Sequence, residues 1–306
     1  MNKSIVTTAY DKDMPSVYVL LSELARLSIS IPIEVFYGDG ELTDQNLKIL
    51  SKFDIDLTRI DMPPKFVDMY GNKQGWGSKV YAIYNSKYKE NLWIDADNVP
   101  IINPEFLFDD NEYIKKGSLF WRDIVSVDSS DMYSSNSIIW KFFGVPRNDS
   151  EPFESGQFLI NKEKCFRELE LVKQYTDSGN STRPSYYDFG GDKECWKFAF
   201  QVIGMASNIP VVSRNYHENS DNVPYGFMPY GPFHCGAQNH YHKWGGGSIM
   251  VQRDRIGNPL FNHRNMNRWS LSDNFVNNDI VNEKYYHDHI KKLRRLTINN
   301  GFDQIS

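Results

Sequence analysis

Residues 91–100 read Asn-Leu-Trp-Ile-Asp-Ala-Asp-Asn-Val-Pro, a short apolar run that is followed by two aspartates. The apolar run Leu92–Ile94 predicts a short buried strand that ends at Asp95. Residues two apart in a strand point to the same face, so Asp95 and Asp97 are aimed at one spot. Carboxylates that converge at a strand end suit Mg²⁺ or Mn²⁺, and such a cation suits a diphosphate. A nucleotide-sugar site is therefore the first hypothesis, and a solvated strand end is the alternative.

The sequence before this stretch alternates strand-like and helix-like patterns. Residues 5–9 and Ile33–Tyr37 predict strands, and Pro15 opens a helix whose apolar residues recur at helical spacing. Further predictions are a helix capped by Thr43, a strand at 57–60 and a helix capped by Ser78. Such alternation predicts an α/β fold with a largely parallel sheet flanked by helices. Ligands bind beyond the carboxyl ends of the strands in such sheets, where the two aspartates would lie.

The pattern is looser after about residue 100. Residues 117–121 and 158–160 predict strands, and a helix is expected after Asp192. The inner face of that helix is predicted to carry Cys195, Phe198, Ala199 and Val202. No internal repeat, linker or domain boundary is evident, so we expect a single domain.

The composition is that of an ordinary globular protein that can bury a large core. Of 306 residues, 40% are hydrophobic and 24% are charged, and the formal net charge is -5. A general nucleic-acid-binding protein would show a basic balance or a clustered basic face, so we expect no nucleic-acid partner. The many Tyr and Phe residues suit stacking on bases or sugar rings and equally suit an aromatic core.

Cysteine usage and apolar segments bear on the compartment. The three cysteines lack C-x-x-C spacing, which favours a reducing compartment over a disulfide framework. The amino terminus shows no signal-peptide segment, and no run approaches the roughly 18 apolar residues of a membrane-spanning helix. A cytoplasmic location is the expectation, and a Golgi-type anchor trimmed from the sequence is the alternative left open.

Several motifs, taken in order, resemble those of one enzyme family. The Asp-Ala-Asp stretch is followed by Pro-Glu-Phe-Leu-Phe (104–108), Gly-Ser-Leu-Phe-Trp (117–121), Glu-Ser-Gly-Gln (154–157), Gly-Asp-Lys-Glu (191–194), Met-Val-Gln (250–252) and Pro-Leu-Phe-Asn-His-Arg-Asn (259–265). Over residues 75–269 the chain thus resembles the GT-A glycosyltransferases, and among them the fungal-type α-mannosyltransferases. It departs from that family in showing no membrane anchor or stem, and its first third matches only in general strand–helix alternation.

The resemblance implies a fold, an activity and a set of ligands. The fold is a single GT-A (Rossmann-like) domain over 1–306 with a mixed, mostly parallel sheet. Within it, 1–100 is the nucleotide-binding half, 101–270 is the acceptor and metal-completing half, and 271–306 is a helical tail. The activity is metal-dependent transfer of a sugar, with retained anomeric configuration, onto a glycan acceptor. GDP-mannose and Mn²⁺ are the implied donor and ion, with a UDP-sugar and Mg²⁺ as alternatives.

The resemblance also assigns residues to the metal and the donor. Asp97 would bind the cation directly, Asp95 would bind it or contact the donor ribose, and His263 would complete the metal shell. An imidazole ligand favours Mn²⁺ over Mg²⁺. The other donor-binding candidates are Thr7, Thr8, Ala9, Tyr10, Asp39, Lys79, Ala96 and Gln157. The alternatives are a turn for Asp39, a surface position for Lys79 and a buried, hydrogen-bonded ring for His263.

Two carboxylates are candidates for the catalytic centre. Asp192 is the first choice and Glu154 the second for stabilising the positive charge that develops on the transferred sugar. Capping of the helix that follows Asp192 is the alternative for that residue. The resemblance implies that residues 154–157 form a loop that faces the acceptor. The acceptor is expected at Ser155, Gly156, Lys193 and Trp121, where Gly156 permits close approach of the backbone.

Other features leave further functions open. His234, Cys235, His240 and His242 raise the alternative of a zinc site, although their spacing fits no common pattern, and Gly245–Gly247 predict a loop over the donor. Residues 283–296 mix basic and aromatic side chains, which predicts either peripheral membrane contact or a terminal helix docked on the protein. A metal-dependent nucleotidyltransferase or a nucleotide-sugar hydrolase on a similar sheet is the alternative activity.

Overall fold

The computed structural model describes residues 2–62, 66–67, 73–123, 133–147, 152–177, 192–203, 211–212, 250–254, 258–264, 268–272 and 282–298. Its helices are α1 (Met14–Arg26), α2 (Asp44–Leu50), α3 (Ser78–Asn85), α4 (Asn111–Lys116), α5 (Ile138–Phe143), α6 (Phe166–Asp177), α7 (Lys193–Val202) and α8 (Glu283–Ile298). Its strands are β1 (Lys3–Thr8), β2 (Ile33–Tyr37), β3 (Asp56–Arg59), β4 (Phe66–Val67), β5 (Lys73–Gln74), β6 (Glu90–Ile94), β7 (Asn98–Pro100), β8 (Ser118–Arg122), β9 (Phe153–Asn161), β10 (Val211–Val212), β11 (Met250–Arg253) and β12 (Pro259–His263). Short 3-10 helices cover Asp11–Asp13 and Pro104–Asp109.

Seven strands form one sheet in the order β10-β8-β9-β6-β1-β2-β3. Strands β6, β1, β2 and β3 pair in parallel, whereas β9 runs antiparallel to both β6 and β8. Strand β10 is parallel to β8. In a small antiparallel sheet, β12 lies between β11 and β7. The large sheet is mixed and mostly parallel, which confirms the predicted fold class.

Successive side chains of a strand point to opposite faces of the sheet, and in the large sheet both faces are buried. In β1, Ile5 belongs to one apolar cluster and Val6 to a second, and both are fully buried. The first cluster contains residues of α1 and α8, and the second contains residues of α3, α6 and α7. Helices therefore cover the sheet on both sides and leave its strand ends for a site.

Local patterns predict several elements well. Strand β2 spans Ile33–Tyr37 as expected, and α1 begins at Met14, one residue before Pro15. The Thr43 hydroxyl accepts a hydrogen bond of 3.3 Å from the backbone N–H of Asn46, so the predicted cap of α2 is confirmed. These signals are read within one turn or one strand, which is why the sequence suffices for them.

Three local predictions are wrong. Gly77, not Ser78, is the N-cap of α3, and Ser78 is the first helical residue. Val202 is 43% exposed, so it lies outside the buried face of α7 to which Phe198 and Ala199 belong. Strand β9 begins at Phe153, so residues 154–157 lie within a strand and not in a loop. Eight consecutive residues of β9 are buried, which hides the alternation expected of a half-exposed strand.

The terminal helix α8 docks on α1. Tyr286, Ile290 and Leu293 are at most 1% exposed and belong to the same apolar cluster as α1. His289 adds a polar contact, since its Nε2 lies 2.6 Å from Glu23 Oε1. The packing agrees with the docked-helix interpretation of the tail.

Within the described ranges, no helix is both long enough and apolar enough to cross a bilayer. The predicted compartment stays a prediction.

Candidate metal and donor site

The carboxyl ends of β1, β2 and β6 meet at one edge of the large sheet. Ile94, the last residue of β6, is paired with Gln157 of β9, and the next backbone N–H, that of Asp95, donates to the Gly156 carbonyl at 2.8 Å. Because β9 is antiparallel to β6, its amino-terminal half lies beside the end of β6. Ala96 follows and is partly buried. The candidate residues of β9 therefore lie beside the Asp-Ala-Asp turn.

Asp95, Asp97 and His263 form a cluster in which one potential ligand atom from each lies within 4.8 Å of the others. The antiparallel pairing of β7 with β12 sets His263 opposite Asn98. The backbone N–H of Arg264 also donates to the Asp97 carbonyl at 2.8 Å. Residues far apart in sequence are thus held together by backbone pairing. Two carboxylates and an imidazole form a donor set that fits a divalent cation.

The cluster is electrostatically polarised. Burial opposes ionisation of Asp97, but His263 and Arg268 outweigh it and hold the pKa of its carboxyl below the usual range. Burial also disfavours the charged form of His263, yet its bond to Asp97 and the nearby carboxylates raise the pKa of the ring to about 9. Burial raises the pKa of the Asp95 carboxyl to about 6. The carboxylates around His263 therefore favour positive charge at the cluster.

The ring of His263 is wedged against the backbone of β9 at Gly156. A Cβ added to Gly156 would lie 2.4 Å from Cε1 and 2.5 Å from Nδ1 of the ring. Glu154 Oε1 accepts a 2.9 Å bond from the Gly156 N–H and lies 3.5 Å from His263 Nδ1. Burial raises the pKa of the Glu154 carboxyl. The close approach predicted at Gly156 is made here by the protein's own histidine.

Lys79 is a buried link between two carboxylates. Its Nζ lies 3.2 Å from Asp95 Oδ1 and 3.0 Å from Asp192 Oδ2, and it donates to the Ser155 carbonyl at 2.7 Å. Only 5% of the residue is exposed, so the surface interpretation of Lys79 is wrong. Burial disfavours its charge, but the two carboxylates outweigh burial and raise the pKa of the ammonium. Trp93 Nε1 donates to Asp95 Oδ1 at 2.6 Å and further fixes that side chain.

Asp192 stands at the N-cap position of α7 but makes no side-chain capping bond. The capping alternative is therefore not realised, and the carboxylate is directed to Lys79 and to the Ser155 hydroxyl at 3.5 Å. The neighbouring Lys193 forms an ion pair with buried Asp123. Both candidates at the start of α7 are thus part of buried or half-buried charge pairs.

The donor candidates of β1 and β2 surround the same edge of the sheet. Residues 7–9 are buried, and Tyr10 is 9% exposed with its hydroxyl 3.5 Å from the Gly75 carbonyl. Asp39 is the exposed member of the set, because 90% of its side chain is accessible. It pairs with Arg59 across the ends of β2 and β3 at 2.9 Å. Both interpretations of Asp39, as a turn residue and as a donor contact, are compatible with this position.

Trp121 and Gln157 are buried in the protein interior. Trp121 is 1% exposed, its Nε1 donates to the Arg253 carbonyl at 3.0 Å, and its ring packs edge-on against Phe261. The expectation that Trp121 binds the acceptor is corrected by this burial in the core. Gln157 is fully buried, and its Oε1 accepts a hydrogen bond from Asn98 Nδ2.

Sequence patterns indicate no role for Arg268 or Asp13, and Asn98 is a further residue of the site that was not predicted. Arg268 Nε donates to Asp97 Oδ2 at 2.8 Å, and its Nη1 donates to Asp13 Oδ1 at 2.8 Å. No spacing rule joins residues so far apart in sequence. For Asn98 a signal existed, since it belongs to the Asp-Ala-Asp-Asn motif. The predicted zinc ligands His234, Cys235, His240 and His242, and the loop Gly245–Gly247, lie outside the described residues.

Comparison with known proteins supports the resemblance inferred from the motifs. Residues 2–139 match the family model described as "Mannosyltransferase putative". The chain is 25% identical over 249 residues to "Putative alpha-1,3-mannosyltransferase MNN14" of Candida albicans, covering 71% of this chain and 35% of that protein. It is 24% identical over 244 residues to alpha-1,2-mannosyltransferase MNN2 of Saccharomyces cerevisiae, covering 66% and 40% respectively. The chain spans between a third and a half of the length of these relatives.

A solved structure supports the fold. The galactosyltransferase LgtC, crystallised with donor and acceptor sugar analogues, superimposes with a TM-score of 0.54. The match covers 94% of this chain and 95% of that one at 12% sequence identity, so it bears on the fold alone. The predicted GT-A fold and the predicted resemblance to fungal α-mannosyltransferases are confirmed.

Proposed function

From its similarity to fungal α-mannosyltransferases and its GT-A fold, we propose that the chain is a metal-dependent, retaining glycosyltransferase. The proposed reaction moves mannose from GDP-mannose onto a glycan acceptor. The observation that carries the proposal is the cluster of Asp95, Asp97 and His263 at the carboxyl end of β6. In this proposal the nucleotide binds to 1–100, and 101–270 completes the metal shell and receives the acceptor.

Asp95, Asp97 and His263 would hold the cation. The set is two oxygen donors and one imidazole nitrogen, and the imidazole favours Mn²⁺ over Mg²⁺. When bound, the cation supplies Lewis-acid stabilisation of the negative charge that develops on the departing diphosphate. Asp97 is prepared for this task because its carboxyl, with a lowered pKa, is ionised at neutral pH.

The donor would lie beyond the ends of β1 and β2, with Tyr10 available to stack on the base. Asp39 is exposed at the same edge and can accept a hydrogen bond from the base or ribose. Lys79 lies 3.2 Å from Asp95, so its ammonium would meet a donor phosphate as a point charge while it neutralises that carboxylate. These residues favour a nucleoside diphosphate with its pyrophosphate directed at the cluster.

Asp192 is the proposed partner of the reacting sugar, and Glu154 is second. In a retaining transfer the bond between sugar and phosphate breaks, the acceptor oxygen bonds to the same face, and the acceptor proton passes to the leaving phosphate. A carboxylate near the anomeric carbon would stabilise the positive charge of that stage. Lys79 holds Asp192 at 3.0 Å, which fixes its orientation. Glu154 is turned towards His263, which makes it the weaker candidate.

The acceptor would approach along Ser155, Gly156 and Lys193. The Lys193 side chain is 28% exposed while it pairs with Asp123, so it can contact a sugar hydroxyl without leaving its partner. Trp121 does not belong to this group, because its ring is part of the core.

Membrane contact through α8 would be mainly electrostatic, because Tyr286, Ile290 and Leu293 are buried against α1, which leaves Tyr285 and Ile298 as its exposed large apolar side chains. The exposed Lys291 and Lys292 are the groups that would meet anionic lipid headgroups. Flotation with vesicles that contain phosphatidylserine tests this contact. Flotation that Lys291→Gln/Lys292→Gln does not weaken would contradict it.

A thermal-shift screen of nucleotide sugars tests the proposed donor. A ligand that binds the native state stabilises it by RT ln(1 + [L]/Kd), or about 2.7 kcal/mol at a concentration 100 times Kd. We expect GDP-mannose with Mn²⁺ to raise the melting temperature, and GDP-mannose without a divalent ion to do so much less. A larger shift with a UDP-sugar would replace GDP-mannose as the donor.

A matched pair of variants makes the screen specific. Asp97→Asn should abolish the Mn²⁺-dependent part of the shift, whereas Asp56→Asn, at the opposite edge of the sheet, should leave it unchanged. Analysis of products then separates the alternative enzymes. Release of free sugar without an acceptor would indicate a hydrolase, and release of pyrophosphate would indicate a nucleotidyltransferase.

A further inference from the structure

Arg268 joins two carboxylates, Asp13 and Asp97, that both come from the first third of the chain. Its Nε donates to Asp97 Oδ2 and its Nη1 donates to Asp13 Oδ1, both at 2.8 Å. A guanidinium presents its N–H groups in a fixed plane, so one arginine can set the relative position of two acceptors. The Asp97 and Asp13 side chains are only 6% and 14% exposed, whereas that of Arg268 is 45% exposed.

The two oxygens of Asp97 have different partners. Oδ1 lies 3.5 Å from His263 Nε2, on the side of the metal cluster. Oδ2 is taken by Arg268. Oδ1 is therefore the oxygen turned towards the other two candidate ligands, and Oδ2 serves as a fixed anchor.

The second acceptor of Arg268 is the carboxylate of Asp13. Asp13 occupies the N-cap position of α1 but makes no side-chain capping bond. Its carboxylate instead receives Arg268, so the turn that follows β1 and Tyr10 is tied to the turn that carries Asp97. Arg268 and Asp13 carry opposite charges and add no net charge beside the cluster.

We propose that Arg268 and Asp13 are positioning residues that hold Asp97 as a one-oxygen ligand for the divalent cation. The inference rests on the proposed function, because it needs a cation at Asp95, Asp97 and His263. Groups that hydrogen-bond a ligating carboxylate typically change metal affinity by 10–100-fold when they are removed. A competing interpretation makes Arg268 an internal cation that blocks the site, and the two interpretations predict opposite changes in affinity.

The test is Mn²⁺ binding to a variant that removes the link without changing net charge. We expect Arg268→Gln/Asp13→Asn to bind Mn²⁺ about 10–100-fold more weakly than the wild type by isothermal titration calorimetry, without donor. The Mn²⁺ electron paramagnetic resonance spectrum should also change, since the ligand geometry is altered. The matched control is Lys87→Gln/Asp56→Asn, which removes an ion pair of 3.4 Å at the other edge of the sheet and should bind as the wild type does.

A double-mutant cycle distinguishes positioning from general destabilisation. Asp13 acts on Asp97 through Arg268, so Asp13→Asn should weaken Mn²⁺ binding in the wild type and change it little in the Arg268→Gln background. Arg268→Lys keeps the charge but cannot donate to both carboxylates in the same geometry, so it should restore only part of the affinity. Independent, additive effects would overturn the inference.

The outcomes also separate this inference from the proposed function. Suppose that the wild type binds Mn²⁺ and that Arg268→Gln/Asp13→Asn binds it with an affinity that is within twofold of the wild-type value or higher. The positioning role is then refuted and the metal site stands. If the wild type binds no divalent cation, the metal site itself is refuted, and the positioning role with it.

Discussion

Replacing Gly156 by alanine tests the wedge between β9 and the candidate metal ligand His263. The added Cβ would lie 2.4 Å from Cε1 and 2.5 Å from Nδ1 of the ring, well inside contact distance. The backbone cannot easily retreat, because the Gly156 carbonyl accepts bonds from the Asp95 N–H at 2.8 Å and from Asn98 Nδ2 at 3.0 Å. Its N–H is held by Glu154 at 2.9 Å. The ring must therefore leave the position that it has beside Asp95 and Asp97.

The size of the effect follows from these contacts. Crowding a packed interior by one methyl group costs about 1–3 kcal/mol of stability. Displacing His263 from Asp95 and Asp97 should also weaken Mn²⁺ binding by at least the ~10–100-fold that loss of an orienting contact produces. We expect Gly156→Ala to remain folded, with a lower melting temperature and much weaker Mn²⁺ binding by calorimetry.

Two controls make this prediction refutable. Gly144→Ala places alanine at φ +68°, with no atom within 4 Å of its Cβ, so it should cost about 1–2 kcal/mol by strain and leave Mn²⁺ binding unchanged. In a His263→Ala background the Gly156→Ala change should cost little stability, because the clashing ring is gone. Mn²⁺ affinity within twofold of wild type in Gly156→Ala would show that the ring is not wedged as described.

Three further predictions concern the buried charges. Glu194 is fully buried, and burial raises its pKa to about 7, so its native state binds a proton more tightly than the unfolded chain does. The contribution of Glu194 to stability should therefore fall by about 3 kcal/mol as pH rises from 4.5 to 7. Glu194→Gln should remove this contribution from the pH dependence measured by urea titration, and an unchanged pH dependence would contradict it. Lys79→Met leaves Asp95 and Asp192 without their shared cation and should cost about 3–5 kcal/mol in the same assay, and a loss below 1 kcal/mol would be inconsistent with the buried link. Asp192→Asn should lower kcat with the identified donor by about 100-fold or more, and turnover near wild type would transfer the role to Glu154.

The parts of the fold that depend on neighbouring residues could be predicted from the sequence. The alternation in Ile33–Tyr37 and the cap at Thr43 are complete within a few residues, and both match the structure. The strand order could not be predicted in this way, because β9 is inserted antiparallel beside β6 by pairing between distant segments. The loop that the resemblance implies for residues 154–157 is instead a strand, because these residues pair with β6 and β8.

The same distinction, between residues that are close in sequence and residues that tertiary packing brings together, applies to the candidate site. Asp95 and Asp97 are close in sequence, so their proximity could be predicted, although the structure sets them in the turn that follows β6 and not in the strand itself. His263 was linked to them only through the family resemblance, and the structure supplies the physical reason in the pairing of β7 with β12. Lys79 and Arg268 could not be placed from spacing, because their partners are set by tertiary packing. Isolated lysines and arginines are usually exposed, which favours the wrong interpretation.

The most direct test of the account is a crystal structure of the chain with Mn²⁺ and a non-transferable GDP-mannose analogue. We expect an anomalous Mn²⁺ peak that lies between Asp97 Oδ1, Asp95 and His263 Nε2, with the pyrophosphate beside it. A donor bound with its pyrophosphate away from these three side chains, or a Mn²⁺ ion held elsewhere, would contradict it.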